Sequence, residues 1–517
     1  MSAESTFPKG RARSRYRPLE TAVACGPLAL ASVALGGLSL GVSLWYARVA
    51  YRGSAGSEVA LIFALVVGLA AAFAMWYGYG TYFARRAGIE QLRALRWDAP
   101  SWATLLLAAL GLIAPGPLGG PSRAFAVGLA FFALVKLLVA ARFVRTVREV
   151  LATFVVTRIS IIVVAELASI VIEQRPGEHV AESANPLLAV WGRWDAVHYL
   201  DIAARGYYGT DMAFFPLYPA LIHVVGAFTG SGLIAGLLVS NVALFFGLLF
   251  FYKLVEHEYS RSVARRAIFY VSIFPTAIFF SAVYTESLFF ALTVASFYYI
   301  REHRWVRAGI IGGFAALTRV EGVLLVVPFF IEVALSGGAG DRWRAVATPE
   351  RALRVIAGAA AIGAGLAAYM AWLWLLSGDP LYFSHVQAHW DRHLAPPWIA
   401  LQHGYKIIQL GLRLHSSALI AGEGIEIAFT VLMVGVLLAG WRRLRPSFVA
   451  YMALSILVPM STSSLMSMPR FALVLFPMFV LLAVWGHRSS VNSVVVAFSL
   501  PLLGLFTVLF ADWYWVA

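Results

Sequence analysis

The sequence predicts an all-α polytopic integral membrane protein with about 13–15 transmembrane helices. Three observations predict it. Of the 517 residues, 61% are apolar and 13% charged, about half the charged share of a soluble domain, and the mean hydropathy is +0.79. The apolar residues form continuous runs of about twenty Leu, Ala, Val and Phe, the length of a helical crossing, where a transmembrane barrel needs alternating segments of about ten. The basic residues behind the net charge of +14 gather in short patches between those runs, the pattern of cytoplasmic anchoring and not of a nucleic-acid surface.

In chain order, the basic stretch "KGRARSRYR" precedes an apolar run with no small-residue cleavage signal, so it reads as a retained first helix with a cytoplasmic N-terminus. Spans are expected at 23–48, 58–84, 101–118, 122–141 and 150–173. They alternate without conflict when the patches at 9–17, 85–96 and 142–148 lie inside, which leaves 174–213 outside. Lys136 snorkels. Residues 1–145 carry four helices with almost no polar content in their outer loops, and are expected to form an accessory module able to meet a membrane partner. Cys25 is the only cysteine, so neither a disulfide nor a cysteine metal site is available. Arg far outnumbers Lys, a compositional pointer to a GC-rich prokaryotic genome and hence to a prokaryotic plasma membrane.

Residues 146–517 form the second expected domain. Its spans fall near 232–254, 266–283, 285–301, 353–377, 424–441, 447–462, 470–486 and 491–511, with basic patches at 253–266, 301–307, 342–354 and 442–445. A first external loop, 174–231, is expected to bear amphipathic juxtamembrane helices. Within it, 214–228 opens "FFPLYP" and is too short for a crossing, so it reads as re-entrant or interfacial. The run 307–336 is interrupted by "TRVEG" (Thr318–Gly322), a broken hairpin whose tip lines a cavity, because non-helical backbone at membrane depth survives only against protein or water. A second large external loop occupies 378–423. Five polar clusters then share the outer face: 191–211, the turn "YTES", the "TRVEG" tip, the loop containing "HVQAHWDRH", and "STSSLMSMPR".

The richest of these is "RWDAVHYLDIA", Arg193 to Ala203. At about 100° per residue, Ala196, Val197, Leu200, Ala203 and Ala204 form one stripe, with Asp195, His198, Tyr199, Asp201, Ile202 and Arg205 opposite. Asp195 and His198 share a face; Arg193 and Trp194 suit headgroup level. Asp201 reads as a local partner of Arg205.

"RWDAVHYLDIAARGY" followed by "AFFPLYP" resembles the signature of the GPI mannosyltransferase II family (PIG-V-like), within the GT-C superfamily of membrane glycosyltransferases. The resemblance continues through "SIFPTAIFFSAVYTESLFF", "GGFAALTRVEG", "GDPLYFSHVQAHW" and "MPRFALVLFP", covering about 150–490 in order. It implies a polyprenyl-phosphate-linked sugar donor, usually mannose, a lipid or glycan hydroxyl acceptor at the non-cytoplasmic face, and inversion with Asp195 as general base. Independent chemistry agrees: a phosphate leaving group needs a carboxylate to take the acceptor proton and cations to hold the charge that develops.

The expected substrate-binding residues are Arg193, Trp194, His198, Tyr199, Glu286, Arg319, Glu321, His385, Gln387 and Arg470. Arg319 and Arg470 are phosphate candidates, since arginine near an apolar span usually faces a cavity or a partner and guanidinium suits phosphate. The alternatives are an end-of-span anchor for Arg470 and a local pair with Glu321 for Arg319. Glu286 is open to three readings: acceptor binding, a divalent cation such as Mg or Mn, or a helix N-terminal cap. His385, His389 and His393 with Asp391 read as a lid or, at four-residue spacing, a metal site. Arg158 and Glu166 read as a donor-tail or structural pair. The rival class is a lipid or sugar transporter or flippase, which predicts charges near the middle of paired broken helices and internal symmetry; here the charges share one outer layer and no half repeats.

Overall fold

The structure, a computed structural model, describes residues 144–173, 175, 186–336 and 346–516, with single positions at 76, 96 and 137. The first four expected spans, Cys25 and Lys136 lie outside the described residues. Contacts divide the chain into Met1–Arg148 and Glu149–Ala517, and the second unit is entered by a helix that begins at Arg145.

The described residues are helical, with one antiparallel bridge between Leu394 and Thr462. The helices are α1 (Arg145–Val171), α2 (Ala196–Arg205), α3 (Leu217–Thr229), α4 (Gly232–Glu258), α5 (Arg261–Ser272), α6 (Glu286–Arg301), α7 (Trp305–Ala316), α8 (Val326–Leu335), α9 (Pro349–Ser377), α10 (Pro397–Leu414), α11 (Ser417–Gly440), α12 (Pro446–Met460), α13 (Met468–Val474), α14 (Phe476–Trp485) and α15 (Ser489–Ala511). Their starts are written in the sequence. The side chains of Ser231, Ser260, Thr348 and Ser416 accept backbone N–H groups of the turn that comes next, and Pro349, Pro397 and Pro446 fill first-turn positions where no donor is needed.

Among the described residues five helices are long and apolar enough to cross a membrane, or six if the bent pair α13–α14 is one span. α3, α7 and α12 are apolar but shorter. Val156, Ile159, Ile170 and Val171 of α1 are more than half exposed, an apolar surface far too continuous for water and suited to lipid. The chain is a multi-pass membrane protein.

Two expected spans are corrected. The run 470–486 is no straight crossing, because α13 and α14 meet at an angle of 70°, where Pro477 in the first turn of α14 favours a fresh helix start. Instead of a helix across 266–283, α5 ends at Ser272, and Ile273–Thr285 runs as turns and one 3-10 segment, buried throughout. Pro275 removes a donor, and the unwound carbonyls find side-chain partners instead. Arg158, inside α1, donates to the carbonyls of Ser272 (2.8 Å) and Ala277 (2.9 Å), and Asn241 donates to that of Ser281 (3.3 Å). Arg158 therefore does not pair with Glu166, whose carboxylate accepts the Trp191 indole N–H at 2.9 Å. The other breaks follow expectation: α7 stops at Ala316 before "TRVEG", a 3-10 turn spans Val320–Leu325, and α8 completes the hairpin. α7 and α9 cross backbone to backbone; a Cβ on Gly309 would collide with the Gly358 carbonyl.

The bundle has two polar poles. At one, the buried Glu332 accepts from Arg301 (2.7 Å), Arg445 (3.0 Å) and Ser447 (2.6 Å), with Glu258 joining Arg301 at 2.5 Å. These residues come from the basic ends of α4 and α6, the start of α12, and α8. The other pole lies at the far end of α6, on the order of 22 Å away at 1.5 Å per residue. It begins with Glu286.

Candidate functional site

α6 starts at Glu286 because the backbone re-enters helix after the unwound segment, which places a carboxylate at a helix N-terminus. Its Oε1 accepts from Arg470 Nε at 2.7 Å and Arg319 Nη1 at 3.1 Å. Arg470 also donates through Nη1 to Asp195 Oδ2 at 2.5 Å. Arg319 Nε lies 3.6 Å from Glu321 Oε2. Five charges therefore alternate in one buried chain: Asp195, Arg470, Glu286, Arg319, Glu321. Faces of Tyr284 (4.9 Å) and Phe279 (5.3 Å) cover the Arg470 guanidinium, and Phe471 (5.1 Å) covers that of Arg319. Arg319 makes the local pair with Glu321 that was the alternative expected for it, and pairs with Glu286 as well. Arg470 is no end-of-span anchor; its side chain is 6% exposed.

The chain forms the charged floor of a cavity of about 420 Å³, within the range of small-molecule sites. The five polar clusters expected on one face supply it: Asp195 and Tyr199; Thr285; Arg319 and Glu321; Gln387, Trp390 and Arg392; and Ser461–Phe471. Phe214, Phe215, Phe383, Leu394 and Val458 make an apolar flank. A larger opening of about 640 Å³ lies between α7 and α9, lined by His303, Arg304, Arg307, Arg351 and Arg354. Among the described residues no carboxylate lines it.

Asp195 stands at the N-cap of α2, yet its side chain caps nothing and turns to Arg470. Oδ2 is held there, and Oδ1 has no hydrogen-bond partner among the described residues. The preceding Trp194 has φ +58°, a left-handed conformation that is strained for a bulky residue, held by contacts to Trp513 and Trp515. Ser467 (φ +73°) stands just before α13, which carries Arg470, and Asp391 (φ +53°) just before Arg392. Three strained residues thus aim the charged groups of one site.

The α2 stripe is corrected. Tyr199 and Ile202 are buried and Ala204 is exposed, because the helix packs onto α3 and α4 and sets Tyr199 against Phe214 and Tyr218. Burial pushes the Tyr199 phenol well above its usual range, which favours its protonated form. Its hydroxyl is 3.4 Å from that of Thr285. In the "AFFPLYP" motif, Phe214 faces the cavity, Phe215 packs on Tyr369, and the Tyr218 hydroxyl meets Ser240 at 2.7 Å.

Five expected binding residues do not line the cavity, and one of them, Glu286, is fully buried and holds both arginines. Arg193 is buried and donates to the Ala511 and Phe510 carbonyls, fastening the end of α15 instead of a headgroup. Trp194 buttresses the turn before Asp195. His198 Nδ1 lies 2.7 Å from Asp211 Oδ1, with its ring stacked on Phe214. His385 is exposed and paired with Asp379 at 2.6 Å, while Ser384 and Gln387 reach the cavity from the same loop. Asp201 pairs with Arg205 at 2.5 Å as expected.

Three residues escaped sequence reasoning. Glu426, in α11, is buried and accepts the backbone N–H groups of Ser467 (3.1 Å) and Met468 (2.8 Å), fixing the start of the helix that carries Arg470; a carboxylate inside an apolar run was the available signal. Trp515 lines the cavity from beyond α15. Arg392 lines it too, in a motif where the histidines drew attention.

A divalent cation does not suit these groups. Asp195, Glu286 and Glu321 each already face a guanidinium, and a metal among them would have to displace arginines that stand within the same few ångströms. Among the described residues no three of His, Cys, Asp and Glu gather in a ligating group.

Residues 132–337 match the family model described as Mannosyltransferase (PIG-V). The match takes in Asp195, Glu286, Arg319 and Glu321 and stops before Arg392, Glu426 and Arg470. No curated protein and no solved structure matches the chain.

Proposed function

We propose that this multi-pass membrane protein, whose residues 132–337 match the PIG-V mannosyltransferase family model, is a mannosyltransferase that takes mannose from a polyprenyl-phosphate donor and moves it, with inversion, to a lipid or glycan hydroxyl. The carrying observation is the cavity at Asp195: a carboxylate with one oxygen held by Arg470 and the other open, over a floor of buried arginines.

The chemistry follows from those groups. The donor's lipid chain lies along the apolar flank at Phe214, Phe215 and Leu394, and its mannosyl phosphate occupies the charged floor. Asp195 Oδ1 takes the acceptor hydroxyl proton as that oxygen bonds to the anomeric carbon, and the bond from that carbon to the phosphate oxygen breaks on the opposite face. The polyprenyl phosphate leaves with the electron pair, stabilised by the field of Arg319 and Arg470. No acid is needed for so good a leaving group. Holding Asp195 in one orientation supplies part of the rate by keeping the base in place before the substrate arrives.

A non-cytoplasmic site is supported by the basic ends of α4 and α6 standing at the opposite pole, and a prokaryotic plasma membrane suits the composition. In this reading residues 146–517 are the catalytic domain and residues 1–145 an accessory module for a membrane partner.

Purified protein in liposomes, given labelled polyprenyl-phosphate mannose and membrane lipid extract, tests the reading. Label appearing in a lipid or glycan product supports it. Label crossing the bilayer on the unchanged donor indicates a transporter or flippase, and label that does neither indicates a scaffold; either outcome overturns it.

A further inference from the structure

The charge chain leaves an electrostatic difficulty. Asp195, Glu286 and Glu321 are three carboxylates, and Arg470 and Arg319 are two guanidiniums whose short contacts all go to those carboxylates. Taken alone, the floor is one charge negative and its cations are spoken for. An incoming phosphodiester would have to break a buried ion pair to gain a direct contact, which typically costs several kcal/mol.

Arg392 is the cavity arginine outside this chain. Its side chain is partly buried, it lines the cavity, and no carboxylate comes within ion-pair distance of it among the described residues. The nearest acidic groups to act on it, Glu321 and Glu426, do so at longer range.

The backbone around Arg392 is fastened on both sides. Ser463 Oγ donates to the Asp391 carbonyl (2.7 Å) and accepts from the His393 N–H (3.1 Å), and the Ser463 N–H donates to the His393 carbonyl (3.0 Å). The Ala395 N–H donates to the Ser461 carbonyl (3.0 Å), and Leu394 pairs with Thr462 in an isolated antiparallel bridge. Asp391 takes a left-handed turn just before it. The "STSS" stretch between α12 and α13 thus grips one external-loop arginine from the same connection that leads to Arg470. Fixing a long cation so firmly while giving it no protein counter-charge is poor design for stability, since an unpaired, partly desolvated charge costs free energy. It is good design for an anion that arrives.

We infer that Arg392 receives the phosphate of the lipid-linked donor, making the direct ground-state contact, while Arg470 and Arg319 hold the carboxylates in place. The inference rests on the polyprenyl-phosphate reading of the cavity and names the residue that reads the phosphate. The guanidinium fork meets two phosphate oxygens at once, which an ammonium does not. Its charge also brings the floor with its three carboxylates to neutrality, so that the donor's own charge is not repelled.

The test uses full-length protein in nanodiscs and undecaprenyl monophosphate as the probe, with binding read by quenching of tryptophan fluorescence and donor kinetics read with polyprenyl-phosphate mannose. Arg392→Ala is expected to weaken probe binding by about tenfold or more and to raise the donor KM by a similar factor, with kcat falling less. Arg392→Lys should fall between the two. Because Arg392 has no ion pair to lose, both variants should unfold at a temperature no lower than that of the unaltered protein; should Arg392→Ala fail to fold, Arg392→Gln serves in its place. Unchanged probe affinity and unchanged donor KM in these variants overturn the inference, as does failure of the unaltered protein to bind the monophosphate. If the unaltered protein transfers mannose and Arg392→Ala binds normally, the role of Arg392 alone fails. If the unaltered protein binds the monophosphate through Arg392 but transfers no mannose, the phosphate site stands and the transferase reading fails.

Discussion

Arg470 and Asp195, separated by 275 residues in the chain, meet at 2.5 Å at the floor of the cavity. That contact ties α13 to the start of α2 and leaves Asp195 one oxygen with which to accept a proton.

Glu286 is the hub of the charge chain, with both arginines on one oxygen. Glu286→Gln leaves two buried guanidiniums short of a counter-charge. We expect a loss of about 3–5 kcal/mol in stability, seen as a lowered unfolding temperature in detergent, together with loss of transfer. Unfolding at the unaltered temperature would show that the buried chain is not what holds this pole together.

Glu426 acts at one remove. Its carboxylate grips the two N–H groups ahead of Arg470, so Glu426→Ala should lower kcat by about tenfold with a smaller change in donor KM. Glu426→Gln, which keeps an acceptor oxygen, should recover part of the loss. Equal loss in both variants, or an intact kcat in the alanine variant, would remove Glu426 from the positioning of Arg470.

The crossing of α7 and α9 admits no side chain at Gly309. Gly309→Val should destabilise the protein by about 1–3 kcal/mol through overpacking. Because α7 leads into the Arg319 turn, transfer should decline as well. Thermal unfolding of the purified variant measures the first effect, and an unshifted transition would mean that the two helices can part.

The loop after α9 has its own pH dependence. The His385 ring, 2.6 Å from Asp379, and the Leu381 N–H hold the Asp379 carboxyl below the usual carboxylate range, the His385 hydrogen bond most of all. A depressed carboxylate adds stability above its unfolded pKa and loses it as pH falls through the folded value. The 379–385 segment should therefore stay closed at neutral pH and loosen only in acid. Protection of the Ser384 and His385 amides, corrected for intrinsic exchange, should fall with pH, and Asp379→Asn should abolish that dependence; a flat profile in the unaltered protein would contradict it.

Much of this site was legible because charge is costly in an apolar chain. Asp195, Arg319, Glu321 and Arg470 stood out as ionisable residues beside spans, and alternation of basic patches put them on one face. The breaks at "TRVEG" and "FFPLYP" were legible from proline, polarity and length. The pairings were not, because sequence reading sees neighbours: Arg158 looked like a partner for Glu166 within one helix, whereas it serves carbonyls more than a hundred residues away. Tyr199 and Ile202 fell on the polar side of a helical wheel, since a wheel assumes one buried face and α2 packs against two helices. The helix ending at Ser272 was hidden by composition, because a buried unwound segment is as apolar as a span.

The most direct measurement is the rate of mannose transfer by purified Asp195→Asn protein, with binding of undecaprenyl monophosphate measured on the same sample. The variant keeps the shape of the side chain and removes the proton acceptor. Transfer is expected to fall by about 10²–10⁴-fold while the monophosphate still binds. Transfer at a near-normal rate by that protein would contradict the assignment of Asp195 as the base.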